Sequence, residues 1–363
     1  MTGPAPDGDE VLLRTEGRAA YLTLNRPRAI NALNHAMVTR IDRALTAWAH
    51  DPAVETVVIG GTGGRGLCAG GDIRAIHADV SSGGGAASAA FWADEYRLNA
   101  RIAHYPKPYV ALMDGIVMGG GVGISAHGSV RIVTEGSRVA MPETGIGFVP
   151  DVGGSYLLAL APGELGTHLA LTGGAVGARD ALLCGLADHF VPAELLRRLA
   201  ADLAELPVEQ VLIRYAGEAP PGELAAHREW IDRCYAADTV EEIVDRLHAV
   251  GVPAAKQAAE TLLGRSPTAL KVTLAAVRRA RRLGPLERVL EQEYRVSCAC
   301  LSAPDLVEGI RAQVVDKDRD PRWTPATLAE VGEQDVARFF APLGDRELSL
   351  AAEAPPEAPR RAR

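Results

Sequence analysis

Aromatic residues are scarce in this chain of 363 residues, at 5% of the sequence. This scarcity disfavours the stacking platforms on which single-stranded nucleic acids bind. An excess of positive charge is also lacking, because the formal net charge is -8. Nucleic acids and anionic membrane surfaces attract basic proteins, so the sequence predicts neither as a partner.

Paired cysteines and metal-ligand motifs are missing as well. None of the five cysteines forms a CxxC pair, which predicts reduced intracellular thiols. The nine histidines are scattered without an HExxH motif, so no metal site is predicted. The N-terminus lacks the basic start and apolar core of a signal peptide, and no apolar run reaches membrane-spanning length. The resulting expectation is a cytoplasmic location.

Hydrophobic residues make up 47% of the chain, which is enough for a large core. Length alone allows one large domain or two ordinary ones. Strand and helix patterns alternate through the first half, which predicts stacked ββα units with parallel sheets and a helical second half. We therefore expect an α/β protein without two independent domains. Its predicted parts are a flexible N-terminus at 1–10, a ββα core at 11–192, a helical region packed on that core at 193–340, and a disordered tail at 341–363.

The stretch Met141–Gly154, MPETGIGFVPDVGG, carries two carboxylates, Glu143 and Asp151. It has neither helical nor strand periodicity and is predicted to be a loop. Each acid follows a proline, which restricts the backbone just before it. A carboxylate in a dry, apolar setting has a raised pKa and can act as an acid or base near neutral pH. The ordinary alternative is a surface turn with a helix-capping Asp.

Two glycine-rich segments precede this loop. The first, GGTGGRGLCAGGD at 60–72, contains a GxGxxG match, but its glycines continue into CAGGD instead of opening a helix. We therefore reject a dinucleotide-binding fold. Asp72 is a better helix start, and it places the N–H groups near Gly71 where they favour negative charge. The second segment holds Gly119–Gly121, whose bare backbone can approach a ligand closely or can serve tight helix–strand packing.

Several motifs taken together resemble the crotonase (enoyl-CoA hydratase/isomerase) superfamily from Val11 to about Val191. They are NRPRAINALN, GTGGRGLCAGGDI, KPYVALMDGIVMGGGVG, AMPETGIGFVPDVGG and LTGG. Three variants, Asp94-Glu95-Tyr96, GGGVG and MPET followed by PDVGG, look most like the 3-hydroxyisobutyryl-CoA hydrolase branch. The C-terminal segments RSPTALK, EGIRA and DKDRDPRW are similar to that branch too. The resemblance implies a crotonase-like spiral of ββα repeats with a helical C-terminal region.

The implied chemistry is stabilisation of an acyl-CoA oxyanion by the backbone N–H groups of Gly71 and Gly120. The resemblance implies no cofactor, because CoA is part of the substrate, and it leaves a homo-oligomer open. Hydratases of the superfamily use two glutamates, and here Gly123 occupies the first position while Glu143 occupies the second. This difference favours thioester hydrolysis over hydration. The resemblance implies a short β-hydroxyacyl-CoA as substrate, namely 3-hydroxyisobutyryl-CoA, and a step of valine catabolism. Hydration or isomerisation of an enoyl-CoA is the alternative.

The hydrolase branch keeps the later glutamate and adds Glu95 and Asp151. Glu143 is then expected to act as a nucleophile or as a base to a water, and the sequence leaves both routes open. Asp151 is expected to bind the substrate's hydroxyl or to orient the water. Glu95 is expected to help close the acyl pocket.

Two sets of arginines are candidates for the CoA phosphates. Arg28 matches a cationic position of the family's NRPKA-like loop. The second set is a cluster for which a solvated helix face is at least as good an interpretation: Arg278, Arg279, Arg281 and Arg282. No GxSxG motif occurs, which excludes the usual nucleophile elbow of serine hydrolases. A non-catalytic CoA-binding scaffold is disfavoured by the retained Glu143.

Overall fold

The computed structural model describes residues 9–350, and the structural statements below refer to that part of the chain. Its strands are β1 (Val11–Glu16), β2 (Ala19–Leu24), β3 (Thr56–Gly61), β4 (Gly66–Cys68), β5 (Tyr109–Met113), β6 (Ile116–Met118), β7 (Val130–Val133), β8 (Arg138–Ala140) and β9 (His189–Phe190).

The helices of the first half are α1 (His35–His50), α2 (Ile73–Gly83), α3 (Ala86–Ala103), α4 (Gly120–Gly123), α5 (Gly154–Ala159), α6 (Leu165–Thr172) and α7 (Ala178–Leu183). Those of the second half are α8 (Leu196–Asp202), α9 (Val208–Tyr215), α10 (Leu224–Tyr235), α11 (Val240–Ala249), α12 (Pro253–Leu263), α13 (Pro267–Leu283), α14 (Leu286–Cys300), α15 (Pro304–Ile310) and α16 (Glu333–Arg338). A π-helical turn, Arg311–Val315, follows α15, and short 3-10 turns include Glu143–Ile146.

The strands form two sheets. The larger has the order β1-β2-β3-β5-β7-β9 and is parallel except for the β1–β2 pair. The shorter strands β4, β6 and β8 form a second, parallel sheet. The first unit places both of its strands, β1 and β2, in the larger sheet, whereas each of the next three units adds one strand to each sheet: β3 and β4, β5 and β6, β7 and β8. The predicted α/β spiral of ββα units is confirmed.

The central strands read as continuous apolar runs because both faces of the large sheet are covered. Along β3, Val57 and Ile59 belong to the main core, whereas Val58 belongs to a second hydrophobic cluster. That cluster includes Leu199 of α8 and Val211 of α9. Helix α9 was not predicted from the sequence.

The C-terminal helices pack directly on the ββα core. One hydrophobic cluster contains Tyr96 of α3, Leu157 of α5, Val277 of α13 and Leu290 of α14. Helix α14 contacts both α3 and α5. It therefore lies behind the loop Met141–Gly154, and this placement determines the geometry of the site.

Two predicted boundaries need correction. Residues 341–350 were expected to be disordered from their composition, but Leu348 and Leu350 are buried in the main core. Glu347 also accepts hydrogen bonds from the Arg295 guanidinium. At the other end, Glu10 pairs with Arg26. The remaining parts of the predicted N-terminus and tail, residues 1–8 and 351–363, lie outside the described residues.

Candidate active site

A cavity of about 510 Å³ lies between the glycine-rich segments, α3, the loop Met141–Gly154 and α15. Its walls bring together the five predicted residues of the reaction centre: Gly71, Glu95, Gly120, Glu143 and Asp151. Arg28 is exposed, and its neighbour Ala29 lines the cavity. The second arginine cluster is largely engaged within the fold, since Arg278 and Arg281 both pair with Glu164.

The N–H groups of Gly71 and Gly120 are close neighbours at the cavity wall. Leu33 N–H donates to Gly70 O at 2.8 Å, and Asp72 N–H donates to Leu33 O at 2.7 Å. Because backbone groups alternate in direction along an extended segment, the Gly71 N–H points away from Leu33. An ideal Cβ on Gly120 would lie 3.4 Å from Gly71 N. Neither N–H has a hydrogen-bond partner within residues 9–350, so both are available to an oxyanion.

Residues without a side chain are required where the N–H donors lie next to the buried carboxyl groups. Gly119 has φ 49° and ψ -120°, a conformation open in practice to glycine alone. A Cβ at Gly119 would lie 2.8 Å from Glu143 Oε1, and one at Gly120 would lie 2.7 Å from Glu95 Oε1. The absence of side chains therefore lets both carboxyl groups approach the donor pair.

Glu95 and Glu143 are buried, at 2% and 6% exposure. Each has one oxygen, Glu95 Oε1 and Glu143 Oε2, without a hydrogen-bond partner in the described part of the chain. Burial, and then the charge of Asp151, raise the pKa of both groups well above the usual range of glutamate. The two groups can therefore hold or accept a proton near neutral pH, as acid–base chemistry requires.

Asp151 has a different environment, because a hydrogen-bond donor stabilises its negative charge. Tyr96 O–H donates to Asp151 Oδ2 at 2.7 Å, and Ser297 O–H donates in turn to the Tyr96 oxygen at 2.8 Å. Burial raises the pKa of Asp151 to about 7, and the Tyr96 hydrogen bond opposes that rise. Among the three acids at the cavity wall, Asp151 is thus the one that carries negative charge most readily.

The turn after Asp151 has an unusual backbone conformation. Val152 has φ 53° and Gly153 has φ 78°, although a β-branched residue rarely adopts a positive φ. Gly154 N–H closes the turn on Asp151 O at 2.6 Å, and His127 Nε2–H donates to Val152 O at 2.8 Å. Such strain persists only where the surroundings over-determine the conformation.

A fourth buried acid, Glu293 of α14, was not predicted from the sequence. Its oxygens accept hydrogen bonds from Gly153 N–H at 2.6 Å, Ser155 N–H at 3.0 Å and Ser155 O–H at 2.5 Å. Burial raises the pKa of Glu293 to about 8, while the bonds from Ser155 and Gly153 oppose the rise. The available signal was an acid and a serine, Glu293 and Ser297, one turn apart on an apolar helix face.

Position 123 has no room for an acid. An ideal Cβ on Gly123 would lie 2.7 Å from Val152 Cβ and 2.9 Å from Asn99 Nδ2. The space that the first glutamate of a hydratase would need is filled by two side chains. The absence of an acid at 123 is therefore built into the packing around the strained turn.

Other kinds of site find less support in residues 9–350. No group of three or more His, Cys, Asp or Glu side chains there is arranged to hold a metal ion. No helix in that range combines the length and the apolar character needed to cross a membrane.

A spiral of ββα units that presents paired glycine N–H groups to a buried cavity defines the class of crotonase-fold proteins. The enoyl-CoA hydratase/isomerase family model matches residues 19–340. The chain belongs to this family, on its 3-hydroxyisobutyryl-CoA hydrolase branch. It is 45% identical to the mitochondrial 3-hydroxyisobutyryl-CoA hydrolase of Danio rerio, with 94% of this chain and 92% of the relative covered. It is 41% identical to that of Homo sapiens, with 94% and 91% covered.

Two solved structures are also similar over nearly their whole length. One, described as a carnitinyl-CoA dehydratase from Mycobacterium thermoresistibile, has a TM-score of 0.91 and 53% identity, and covers 94% of this chain and 99% of its own. The other, described as an enoyl-CoA hydratase from Rhodobacter sphaeroides, has a TM-score of 0.88 and 44% identity, with 94% and 100% covered. The predicted crotonase-like fold is thereby confirmed.

The expected cytoplasmic location is wrong by this comparison. The curated relatives from Danio rerio, Gallus gallus and Homo sapiens are mitochondrial proteins by name. The expectation had relied on the absence of targeting features in the sequence, and that absence is weak evidence.

We predict that Gly123→Glu lowers the free energy of unfolding by about 1–3 kcal/mol, because the new side chain overpacks Val152 and Asn99. It should not confer crotonyl-CoA hydration. Chemical denaturation and a hydration assay check both points. Gly60→Ala is the matched control, since a Cβ there meets only Leu112 Cδ1 at 3.9 Å. A stable Gly123→Glu variant with hydratase activity would contradict this interpretation.

A second prediction concerns the pH dependence of stability. The pKa of Glu95 is raised in the folded state, so its contribution to stability is fully present below its unfolded pKa and is lost as pH rises through the folded pKa. Glu95→Gln should therefore raise Tm at pH 8 by roughly 2 °C or more and have little effect near pH 4. Thermal melts across pH test this expectation, with the exposed Glu229→Gln as control. An equal effect at both pH values would refute it.

Proposed function

We propose that the protein hydrolyses 3-hydroxyisobutyryl-CoA to 3-hydroxyisobutyrate and CoA. The proposal depends on which groups line the cavity wall. The N–H donors of Gly71 and Gly120, which have no partner among residues 9–350, share the cavity wall with the buried Glu143, while position 123 has no room for the second acid of a hydratase. Relatives at 41–45% identity are named 3-hydroxyisobutyryl-CoA hydrolases, which supports the same substrate. A place in valine catabolism stays a prediction from the family resemblance.

In the proposed reaction, the thioester oxygen lies between the N–H groups of Gly71 and Gly120. Negative charge develops on this oxygen when the carbonyl carbon becomes tetrahedral. Preorganised donors directed at this oxygen stabilise that charge, and loss of one donor typically costs about 2.7–4 kcal/mol of transition-state stabilisation. The C–S bond then breaks, and the CoA thiolate leaves and takes up a proton.

Glu143 supplies the attack by one of two routes. As a nucleophile, its ionised carboxylate bonds to the thioester carbon, and water then hydrolyses the resulting anhydride. As a base, it takes a proton from the water that attacks the carbon directly. Both routes need the ionised form, so activity should rise with pH as Glu143 loses its proton. Transfer of oxygen-18 from water into Glu143 during a single turnover distinguishes the first route from the second.

The other two acids contact the acyl group in this proposal. Asp151, held by Tyr96, accepts a hydrogen bond from the substrate's hydroxyl or orients the water. Glu95 lies against Gly120, its Oε1 has no hydrogen-bond partner within residues 9–350, and it closes the acyl end of the cavity. A protonated Glu95 can donate a hydrogen bond to the acyl hydroxyl. A homo-oligomer stays a prediction from the family resemblance.

Hydration or dehydration of an acyl-CoA is the second candidate. It is favoured by the solved structures described as a carnitinyl-CoA dehydratase and an enoyl-CoA hydratase, at 53% and 44% identity. Addition of water to a double bond in this superfamily uses two glutamates, and only Glu143 is present here. Incubation with crotonyl-CoA distinguishes the two candidates, since hydration consumes the double bond without releasing a thiol.

We predict that the wild-type protein releases free thiol from 3-hydroxyisobutyryl-CoA and that Glu143→Gln lowers kcat at least about 100-fold. The amide keeps the shape of the side chain but cannot act as a nucleophile or base. A panel of short acyl-CoA thioesters with a thiol reagent makes the measurement. Near wild-type turnover by Glu143→Gln would exclude the proposed role of Glu143, and crotonyl-CoA hydration without thiol release would favour the second candidate.

Binding of the CoA phosphates generates a separate prediction. Arg28 is exposed and has no ion pair within the described residues, so its charge is available to an anion. Arg28→Glu should raise KM about 10-fold at low salt and leave kcat nearly unchanged, and the difference should shrink at high salt. Arg43→Glu is the control, because Arg43 is an exposed arginine on the outer face of α1. Equal effects of the two reversals would remove Arg28 as a phosphate contact.

A further inference from the structure

We infer that one face of helix α14, formed by Glu293 and Ser297, positions Asp151 for the reaction. This inference rests on the proposed function, because it assigns Glu293 and Ser297 a role in the same thioesterase site. Glu293 and Ser297 are four residues apart and therefore lie one above the other on the helix surface. Both are buried, at 1% and 0% exposure. Together they hold Asp151 from two sides.

The first connection is a chain of hydrogen bonds from Ser297 to the side chain of Asp151. Ser297 O–H donates to the Tyr96 oxygen at 2.8 Å, and Tyr96 O–H donates to Asp151 Oδ2 at 2.7 Å. The donor direction follows from the acceptor, because an ionised carboxylate can only accept. Ser297 thus fixes the rotation of the Tyr96 hydroxyl, and that hydroxyl fixes one oxygen of Asp151.

The second connection is a set of hydrogen bonds from Glu293 to the residues that follow Asp151. Glu293 Oε2 accepts from Gly153 N–H, and Glu293 Oε1 accepts from the N–H and the O–H of Ser155. These bonds fix both sides of Gly154, whose N–H closes the turn on Asp151 O. The three donors favour the ionised form of Glu293 against burial, and in that form its hydrogen bonds are about twice as strong as neutral ones. These three hydrogen bonds to Glu293, called the clamp below, therefore maintain the positive φ of Val152. Without them the turn could relax to a negative φ.

The charge of Glu293 affects the pKa of other acids at the reaction centre. The titratable groups that face this region are Asp151, Glu143 and Glu95 at the cavity, Tyr96 of α3, His127 beside the turn and the Cys300 thiol of α14. The Glu293 charge contributes to the raised pKa of Glu143, behind burial and Asp151. Removal of that charge should consequently lower the pKa of Glu143.

A purely structural role for Glu293 would produce a different result. A buried carboxylate that only stabilises the packing of α14 would, when replaced, lower Tm without moving the pH dependence of catalysis. Glu287 offers this comparison within the same helix, because it is buried at 7% exposure and pairs with His104 away from the cavity. Glu287→Gln is therefore the matched control.

The test compares Glu293→Gln, Ser297→Ala and Glu287→Gln in the full chain. We expect Glu293→Gln to lower kcat about 100-fold with KM changed less than about 3-fold, because small displacements of a reacting group have effects of that size. The acid limb of its kcat/KM–pH profile should shift to lower pH. Ser297→Ala should lower kcat by a smaller factor, and Glu287→Gln should change neither kcat nor the profile.

Amide hydrogen exchange supplies a readout that is independent of the reaction. The backbone amides of Gly153 and Ser155 should exchange faster in Glu293→Gln and remain protected in Glu287→Gln. If Glu293→Gln does not fold, Ser155→Ala removes one of the three bonds and should still lower kcat measurably. Wild-type kcat and an unmoved pH profile in Glu293→Gln, or in Ser155→Ala where it must stand in, would overturn the inference. A wild-type protein without thioesterase activity would refute the proposed function instead, and the exchange data would still test the clamp.

Discussion

Like charges repel strongly where they are buried in protein, and this repulsion constrains the whole site. Glu95, Glu143, Asp151 and Glu293 are all buried, at 1–6% exposure. They cannot all be ionised without compensation, so the fold distributes donors unequally. Asp151 and Glu293 receive fixed hydrogen bonds, whereas Glu95 and Glu143 each keep one oxygen without a partner in the described part of the chain. The acids with unpaired oxygens are the two that lie against the glycine donors of the cavity wall.

The glycines and the C-terminal helices follow from the same constraint. Bare backbone at Gly119 and Gly120 leaves the space that the carboxyl groups of Glu143 and Glu95 occupy, because a Cβ at either glycine would clash with one of them. Helix α14 then supplies the charge and the hydroxyl that hold the opposite side, through Glu293 and through Ser297 by way of Tyr96. The helical region thus completes the site instead of only covering the core, and the packing at Gly123 leaves the site without the second acid of a hydratase.

Local patterns in the sequence predicted much of this arrangement. Asp72 caps α2 as expected, and the glycine-rich segments lie with the loop Met141–Gly154 around one cavity. Contacts between distant segments were not predictable in the same way, because no local pattern records them. Glu293 lies 140 residues from Gly153, and an acid on a helix is ordinarily solvated. The positive φ of Val152 had no signal, since a β-branched residue argues against it.

The central claim is that the donor pair and the acids act on one thioester. A crystal structure with a ketone analogue of 3-hydroxyisobutyryl-CoA, in which CH₂ replaces the thioester sulfur, tests this claim most directly. The account predicts the carbonyl oxygen about 2.7–3.1 Å from the N–H nitrogens of both Gly71 and Gly120. It also predicts Glu143 beside the carbonyl carbon and the acyl hydroxyl on Asp151 or Glu95. A carbonyl oxygen bound away from the two glycines, with Glu143 out of reach of the carbon, would contradict it.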